Sequence, residues 1–183
     1  KESSAASDVY KRQAFLAIVI FSPVMLLITL LIKLSSSGPA LYGQERMGLD
    51  GRTFRALKFR SMHTDAESQT GAVWASENDE RRTKFGVFLR NYSLDELPQL
   101  FNVFKGEMSL VGPRPERPVF IDQFKSKIPN YMLRHKVKAG ITGWGQINGW
   151  RGNTSLEKRI ECDLSLIHIS EPTRRTPISY AVF

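Results

Sequence analysis

Asp95 and Glu96 stand side by side within Ser93-Leu94-Asp95-Glu96-Leu97-Pro98-Gln99-Leu100, in a chain of 183 residues with 26 Lys plus Arg against 18 Asp plus Glu. Such a pair can supply a nucleophile and a metal ligand for phosphate chemistry, provided nearby cations hold a polyanionic substrate that would otherwise repel both carboxylates. The same residues also spell a capping box, with Ser93 as N-cap and Glu96 three positions on, which satisfies free amides at a helix start and does no chemistry. Both readings stand on the residues alone. Arg114, in Ser109-Leu110-Val111-Gly112-Pro113-Arg114-Pro115-Glu116, is a further candidate: glycine and two prolines make a rigid, exposed backbone that aims the side chain outward. That suits phosphate recognition, and it equally suits an ordinary solvated arginine.

Composition narrows the chemistry. One cysteine, Cys162, and three scattered histidines exclude a disulfide framework and offer no zinc spacing, so any metal would take oxygen ligands, Mg²⁺ being the natural ion. The glycine-rich run Gly140 to Gly152 carries Trp144 and Trp150 but lacks a Gly-Lys-Ser/Thr ending, so it is no Walker loop. Those tryptophans can pack internally, contact a sugar or base, or lie at a membrane interface. A net charge of +8 favours anionic partners, and no RNA or DNA motif accompanies it.

The elements that must position these groups are partly readable. Leu94, Leu97, Leu100, Phe101 and Phe104 predict a helix with one apolar face, although Pro98 makes its first turn irregular or delays the regular helix to about Leu97. In either register the carboxylates sit at a positive helix end, which would keep Asp95 ionised. Ala40 to Tyr42 and Thr53 to Phe59 predict a small hairpin around Met47 to Gly51, and Pro118 to Lys127 a short helix. Thr64 to Arg82 reads as a loop with at most a short helix.

Ala14 to Ile32 runs nineteen residues without a charge, close to the minimum for crossing a bilayer. Ser22-Pro23 lies at its middle; proline lacks an N–H and frees a carbonyl one turn earlier, which a serine hydroxyl can satisfy, so a kink is expected. Lys11 and Arg12 before the run and Lys33, Arg46 and Arg52 after it place cations on both flanks. A spanning helix and a re-entrant hairpin with two cytoplasmic ends both fit.

Taken in order, Ser22-Pro23, Gly38-Pro39, Gln44 to Gly48, Lys58 to Met62, Ser93 to Leu100, Met108 to Glu116 and Lys138 to Gly143 resemble the bacterial sugar transferase family, the monotopic polyprenyl-phosphate phosphoglycosyl transferases. The resemblance covers about Phe15 to Asp163. It implies an α+β fold: a mainly helical single catalytic domain over 35–163 with short β-hairpin elements, preceded by a re-entrant membrane helix over 14–34 broken at Ser22 and Pro23. It further implies transfer of a sugar 1-phosphate from a UDP-sugar, UDP-glucose or another UDP-hexose, to undecaprenyl phosphate, with UMP released and exopolysaccharide or other surface-glycan synthesis begun. Asp95 would be the nucleophile of a covalent phosphosugar intermediate and Glu96 the Mg²⁺ ligand. Lys58, Arg60, Arg90 and Arg114 would bind substrate phosphate. The implied location is the bacterial inner membrane with the catalytic domain facing the cytoplasm; nucleic acid is not an implied partner. Residues 1–13 and 164–183 depart from the pattern and read as atypical, non-native tails, and the multi-helix membrane region of related exopolysaccharide enzymes is absent from the sequence. The rival from another class is a basic, membrane-anchored binding or scaffold protein that keeps the fold without chemistry.

Overall fold

The computed structural model describes residues 4–66, 71, 79–150, 152 and 154–170. Residues 67–70 and 72–78 of the polar stretch from Thr64 to Arg82, residues 1–3 and 171–183 of the two tails, Arg151 and Asn153 lie outside the described residues. The chain opens with α1 (Ser4–Ser35), followed by β1 (Leu41–Met47), β2 (Thr53–Phe59), α2 (Lys84–Asn91) and α3 (Gln99–Lys105). After these come β3 (Ser109–Val111), α4 (Pro118–Lys125), β4 (Gly140–Thr142), α5 (Trp144–Ile147) and α6 (Leu156–Ser170). The result is a mixed helix-and-sheet fold led by an apolar helix.

Two faces of α1 do different things. Met25, Ile28 and Ile32, spaced to share one side, are buried with Ala40, Phe59 and Leu89, and Leu94 and Leu97 pack against them. Each such side chain, fully buried, contributes about 1.5–3 kcal/mol. Nearer its start, Ala14 is buried in a second cluster with Val103 and Met108, whereas other positions are open: Ile20 is 69% exposed, Leu26 71% and Leu34 75%. An apolar window of mean hydropathy 2.9 that is only 17% buried is no core helix of a soluble domain, and its length and composition suffice to cross a membrane. Helical structure continues through Pro23, so the expected break is not a gap in the helix. The carbonyl that Pro23 leaves without its helical donor is that of Val19, and the Ser22 hydroxyl donates to it at 2.8 Å.

The predicted hairpin is present, with a longer first strand: β1 pairs antiparallel with β2 from Leu41 opposite Phe59 to Met47 opposite Thr53. Its other edge is covered by α3. Asn102 Oδ1 accepts from the Leu57 amide and its Nδ2 donates to the Arg55 carbonyl, both at 2.9 Å, so one buried side chain imitates a strand. A second pair, β3 with β4, is parallel and only three residues a side. No periodicity announced it; close approach does. A Cβ on Gly140 would lie 2.1 Å from the Gly112 nitrogen, so glycine is required where the two strands meet. This contact sets the start of the Pro113 to Glu116 loop. A third cluster, Ile121, Tyr131 and Ile160 with Phe124 and Leu164, seats α6 on α4 and the 3-10 helix Tyr131–Lys136.

Candidate active site

The carboxylates do not cap a helix. Ser93 takes a left-handed conformation (φ 56°, ψ 19°) without a side-chain cap bond, Leu94–Glu96 form a 3-10 turn, and regular helix begins only at Gln99. The left-handed residue turns the chain sharply out of α2. Leu94 and Leu97 then anchor the turn in the α1 cluster, leaving Asp95 and Glu96, each 5% exposed, facing β2 and the Pro113 to Glu116 loop. The capping-box reading and the helix-end argument for Asp95 are therefore both corrected: side-chain cations, not a dipole, surround these groups.

Glu96 is clamped from two sides. Lys58 Nζ donates to its Oε1 at 2.8 Å, and Arg114 donates to Oε1 at 2.6 Å and to Oε2 at 3.3 Å. Burial pushes Glu96 up, but Arg114 and Lys58 outweigh it and hold the carboxyl well below its ordinary range. Burial likewise pulls Lys58 down against the attraction of Glu96, whereas in Arg114 the Glu96 carboxylate overcomes burial and holds the guanidinium charged. Contrary to the sequence expectation, Arg114 turns inward.

Asp95 has the opposite condition. Its Oδ1 is buried and has no hydrogen-bond partner among the described residues. Burial raises its carboxyl, opposed by Lys58, reinforced by Glu96, and opposed again by Arg90 and Arg114. An unsatisfied buried carboxylate oxygen costs free energy, so its persistence beside three cations marks a group held for something other than stability.

A cavity of about 460 Å³ opens over this turn and is lined by Lys58, Arg60, Arg90, Asp95, Glu96 and Arg114 together. Arg90 reaches it because α2 packs closely on Ser61, whose hydroxyl accepts from Arg90 Nε at 2.9 Å. Arg60 lines the wall but spends its guanidinium elsewhere: it donates to the carbonyls of Ser36 and Ser37 and the Ser36 hydroxyl, tying the end of α1 to the cavity. It is a clamp on the backbone more than a free phosphate ligand. Trp150 lines the same cavity and carries Lys158 over its ring at 4.8 Å, while Trp144 stands 45% exposed. Ser22 and Pro23 are not among the lining residues.

Sequence reasoning missed Arg46, Glu116, Arg134, Arg159 and Asp163. Arg46 and Arg159 both approach the Glu116 carboxylate, at 3.8 and 3.3 Å. Burial lowers Arg46 to about 10 although Glu116 opposes the shift. The one available signal was Arg159 and Asp163 at helical spacing on α6, a pair that reads on sequence as solvated surface charge.

The sequence profile of the family described as bacterial sugar transferase matches residues 6–173. The chain belongs to the bacterial sugar transferase family. The match extends beyond the Phe15 to Asp163 stretch at both ends, and α6 itself continues through Asp163 to Ser170. Among relatives in the family, a UDP-glucose:undecaprenyl-phosphate glucose-1-phosphate transferase of Escherichia coli (strain K12) is 51% identical over 158 residues, 84% of this chain and 34% of the relative. A UDP-N-acetylgalactosamine-undecaprenyl-phosphate N-acetylgalactosaminephosphotransferase of Aeromonas hydrophila is 52% identical over 134 residues, 73% of this chain and 31% of the relative. A UDP-glucose:undecaprenyl-phosphate glucose-1-phosphate transferase of Caulobacter vibrioides is 44% identical over 158 residues, 84% of this chain and 59% of the relative. The chain thus spans about a third of the length of the first two.

A divalent cation has few places to sit. Among the described residues no group of three or more His, Cys, Asp and Glu could hold a metal. Glu96 is the donor that fits: its carboxylate retains lone pairs beyond those its cations occupy, while the neighbouring Asp95 Oδ1 has no partner among the described residues. One carboxylate completed by substrate phosphates and water is a set that suits Mg²⁺.

Proposed function

We propose that this sugar transferase moves a sugar 1-phosphate from a UDP-hexose to undecaprenyl phosphate, releasing UMP and making the first lipid-linked intermediate of an exopolysaccharide or other surface glycan. The observation that carries the reading is Asp95 Oδ1, unpartnered and buried at a cationic cavity beside a clamped second carboxylate. Asp95 attacks the phosphorus bonded to the sugar; a new oxygen–phosphorus bond forms, the bond to the bridging oxygen breaks, and UMP leaves with that electron pair. A phosphate oxygen of the lipid then attacks the same phosphorus, the aspartyl bond breaks, and Asp95 returns as a carboxylate. Lys58, Arg90 and Arg114 offset repulsion between the anionic nucleophile and the diphosphate and stabilise charge developing on the leaving group. Glu96, with the donor phosphates, would hold Mg²⁺, which supplies further charge neutralisation. The relatives act, by name, on glucose and on N-acetylgalactosamine phosphates, which supports a hexose donor.

Residues 35–163 form the catalytic domain in this reading, facing the cytoplasm of a bacterial inner membrane, and α1 enters the bilayer over 14–34 as a re-entrant helix turned at Ser22-Pro23. The open apolar face of α1, the cations on both flanks and the hydroxyl that satisfies Val19 support it. A cysteine placed before Ala14 should then react with a cytoplasmic reagent; reaction only from the periplasm would overturn the re-entrant path. For the chemistry, intact-protein mass spectrometry with Mg²⁺ and a panel of UDP-sugars, without lipid, should show a sugar-phosphate adduct on the unaltered chain and none on Asp95→Asn. No adduct with any donor, while UDP-sugar still binds, would favour the non-catalytic membrane-anchored binder instead.

A further inference from the structure

The loop that carries Arg114 has no regular structure of its own, yet four consecutive carbonyls along it are each held by a different donor. Pro113 accepts from the Gly140 amide at 3.0 Å, Arg114 from Arg134 at 2.8 Å, Pro115 from Arg46 at 3.1 Å and Glu116 from the Met47 amide at 3.0 Å. The Arg134 contact stands apart because its donor is a buried charge, 2% exposed, fixed by Asp163 of α6 at 2.6 Å and by the Tyr131 hydroxyl at 3.1 Å. One turn earlier on α6, Arg159 reaches the Glu116 carboxylate at the end of the same loop. Hence two residues on one face of α6 reach this loop, Asp163 through Arg134 at the Arg114 carbonyl and Arg159 at the Glu116 carboxylate.

We infer that α6 is a positioning element of the site, with Asp163 orienting Arg134 so that its bond to the Arg114 carbonyl sets where the Arg114 guanidinium meets Glu96 and the donor phosphate. A buried ion pair is weak support for stability, since apolar residues of similar size fill such space at least as well. Its use here is geometric. The guanidinium of Arg134 touches the main chain of the very residue whose side chain holds Glu96 at 2.6 Å. Losing that bond frees the carbonyl and lets the Arg114 side chain drift within the cavity, and a displacement of about 1 Å at such a group costs roughly 10²-fold in rate. Neither Arg134 nor Asp163 touches the reacting atoms; both act through Arg114. The inference rests on the proposed role of Arg114 in donor binding.

The test replaces the pair by apolar residues, R134M/D163L, so that no buried charge is orphaned, and compares it with R114A and with the triple variant. Turnover, adduct formation and thermal melting are measured on each, and UDP-sugar affinity on each in an Asp95→Asn background. R134M/D163L should melt close to the parent and turn over roughly 10²-fold more slowly, and the triple variant should be no slower than R114A. Parent-like turnover in the folded pair variant overturns the inference while leaving the role of Arg114 intact. So does a triple variant slowed by the full product of the two losses, because the pair would then act independently of Arg114. If R114A itself turns over normally, the role given to Arg114 falls, and the inference with it. Should R134M/D163L melt early, Asp163→Glu, which keeps the charge on a longer arm, carries the same comparison: parent-like turnover in a folded protein overturns the inference, and a loss absent in the R114A background supports it.

Discussion

Asp95 and Asp163 are both buried aspartates, 5% and 2% exposed, and burial raises the carboxyl of each against nearby cations. Their partners separate them. Asp163 is met by Arg134 at 2.6 Å, and Arg134 is in turn bonded to a tyrosine hydroxyl and a main-chain carbonyl. Asp95 faces three cations and, among the described residues, leaves Oδ1 without a hydrogen bond. In the first region the carboxylate is bonded and its arginine is shared among three acceptors; in the second, an oxygen is held unsatisfied against the cavity. A protein that builds the first can support the second, since the cost of a buried unsatisfied group is offset by cohesion around it.

The comparison breaks most severely at the reactive aspartate. Asp95→Asn should lower turnover by 10³-fold or more, roughly what loss of a nucleophile costs, and should abolish the adduct in mass spectrometry. The same change should raise the melting temperature at neutral pH. The folded carboxyl binds its proton more tightly than the unfolded one, so stability falls as pH rises through that window, and asparagine removes the loss. A melting temperature below that of the parent would contradict the account of Asp95 as a strained group.

Asp163→Asn should do the reverse, lowering stability by about 3–5 kcal/mol because it leaves Arg134 as a buried charge without its carboxylate; chemical denaturation reads this directly. Arg114→Lys comes next, with a loss of about 10²-fold in turnover and little change in melting, since lysine cannot reproduce a two-nitrogen contact to Glu96. The smallest effect belongs to pH. Glu96 has a folded carboxyl held below its ordinary range, so its stabilising term is complete above that range and is lost only as pH falls through the depressed value. Glu96→Gln should therefore flatten the acid limb of a stability–pH curve measured by thermal melting.

Much of this was legible before any coordinates. The hairpin followed from alternation and a glycine turn, α1 from nineteen uncharged residues, and the Ser22 bond to Val19 from proline's missing donor. The Asp95-Glu96 pair and its cations were named from residue type and from the order of short motifs. Two readings failed because they were local. The capping box and the outward Arg114 were each inferred from neighbouring residues, and tertiary packing overrode both: Ser93 turns left-handed instead of capping, and Glu96 draws Arg114 inward.

By itself, then, the sequence determined the family, the apolar helix, the hairpin and the identity of the charged residues that could handle phosphate. Those depend on residue type and short-range spacing, where sterics, hydrophobic periodicity and backbone donors act locally. Only the tertiary structure decided which cation meets which carboxylate, that Asp95 keeps an oxygen without a partner, and that α6 reaches the Arg114 loop through Arg134 and Asp163. Pairings between residues 18 to 38 positions apart are settled by how helices and strands pack, and burial then fixes their electrostatic consequence, because desolvation and Coulomb attraction have opposite signs and the geometry sets their balance.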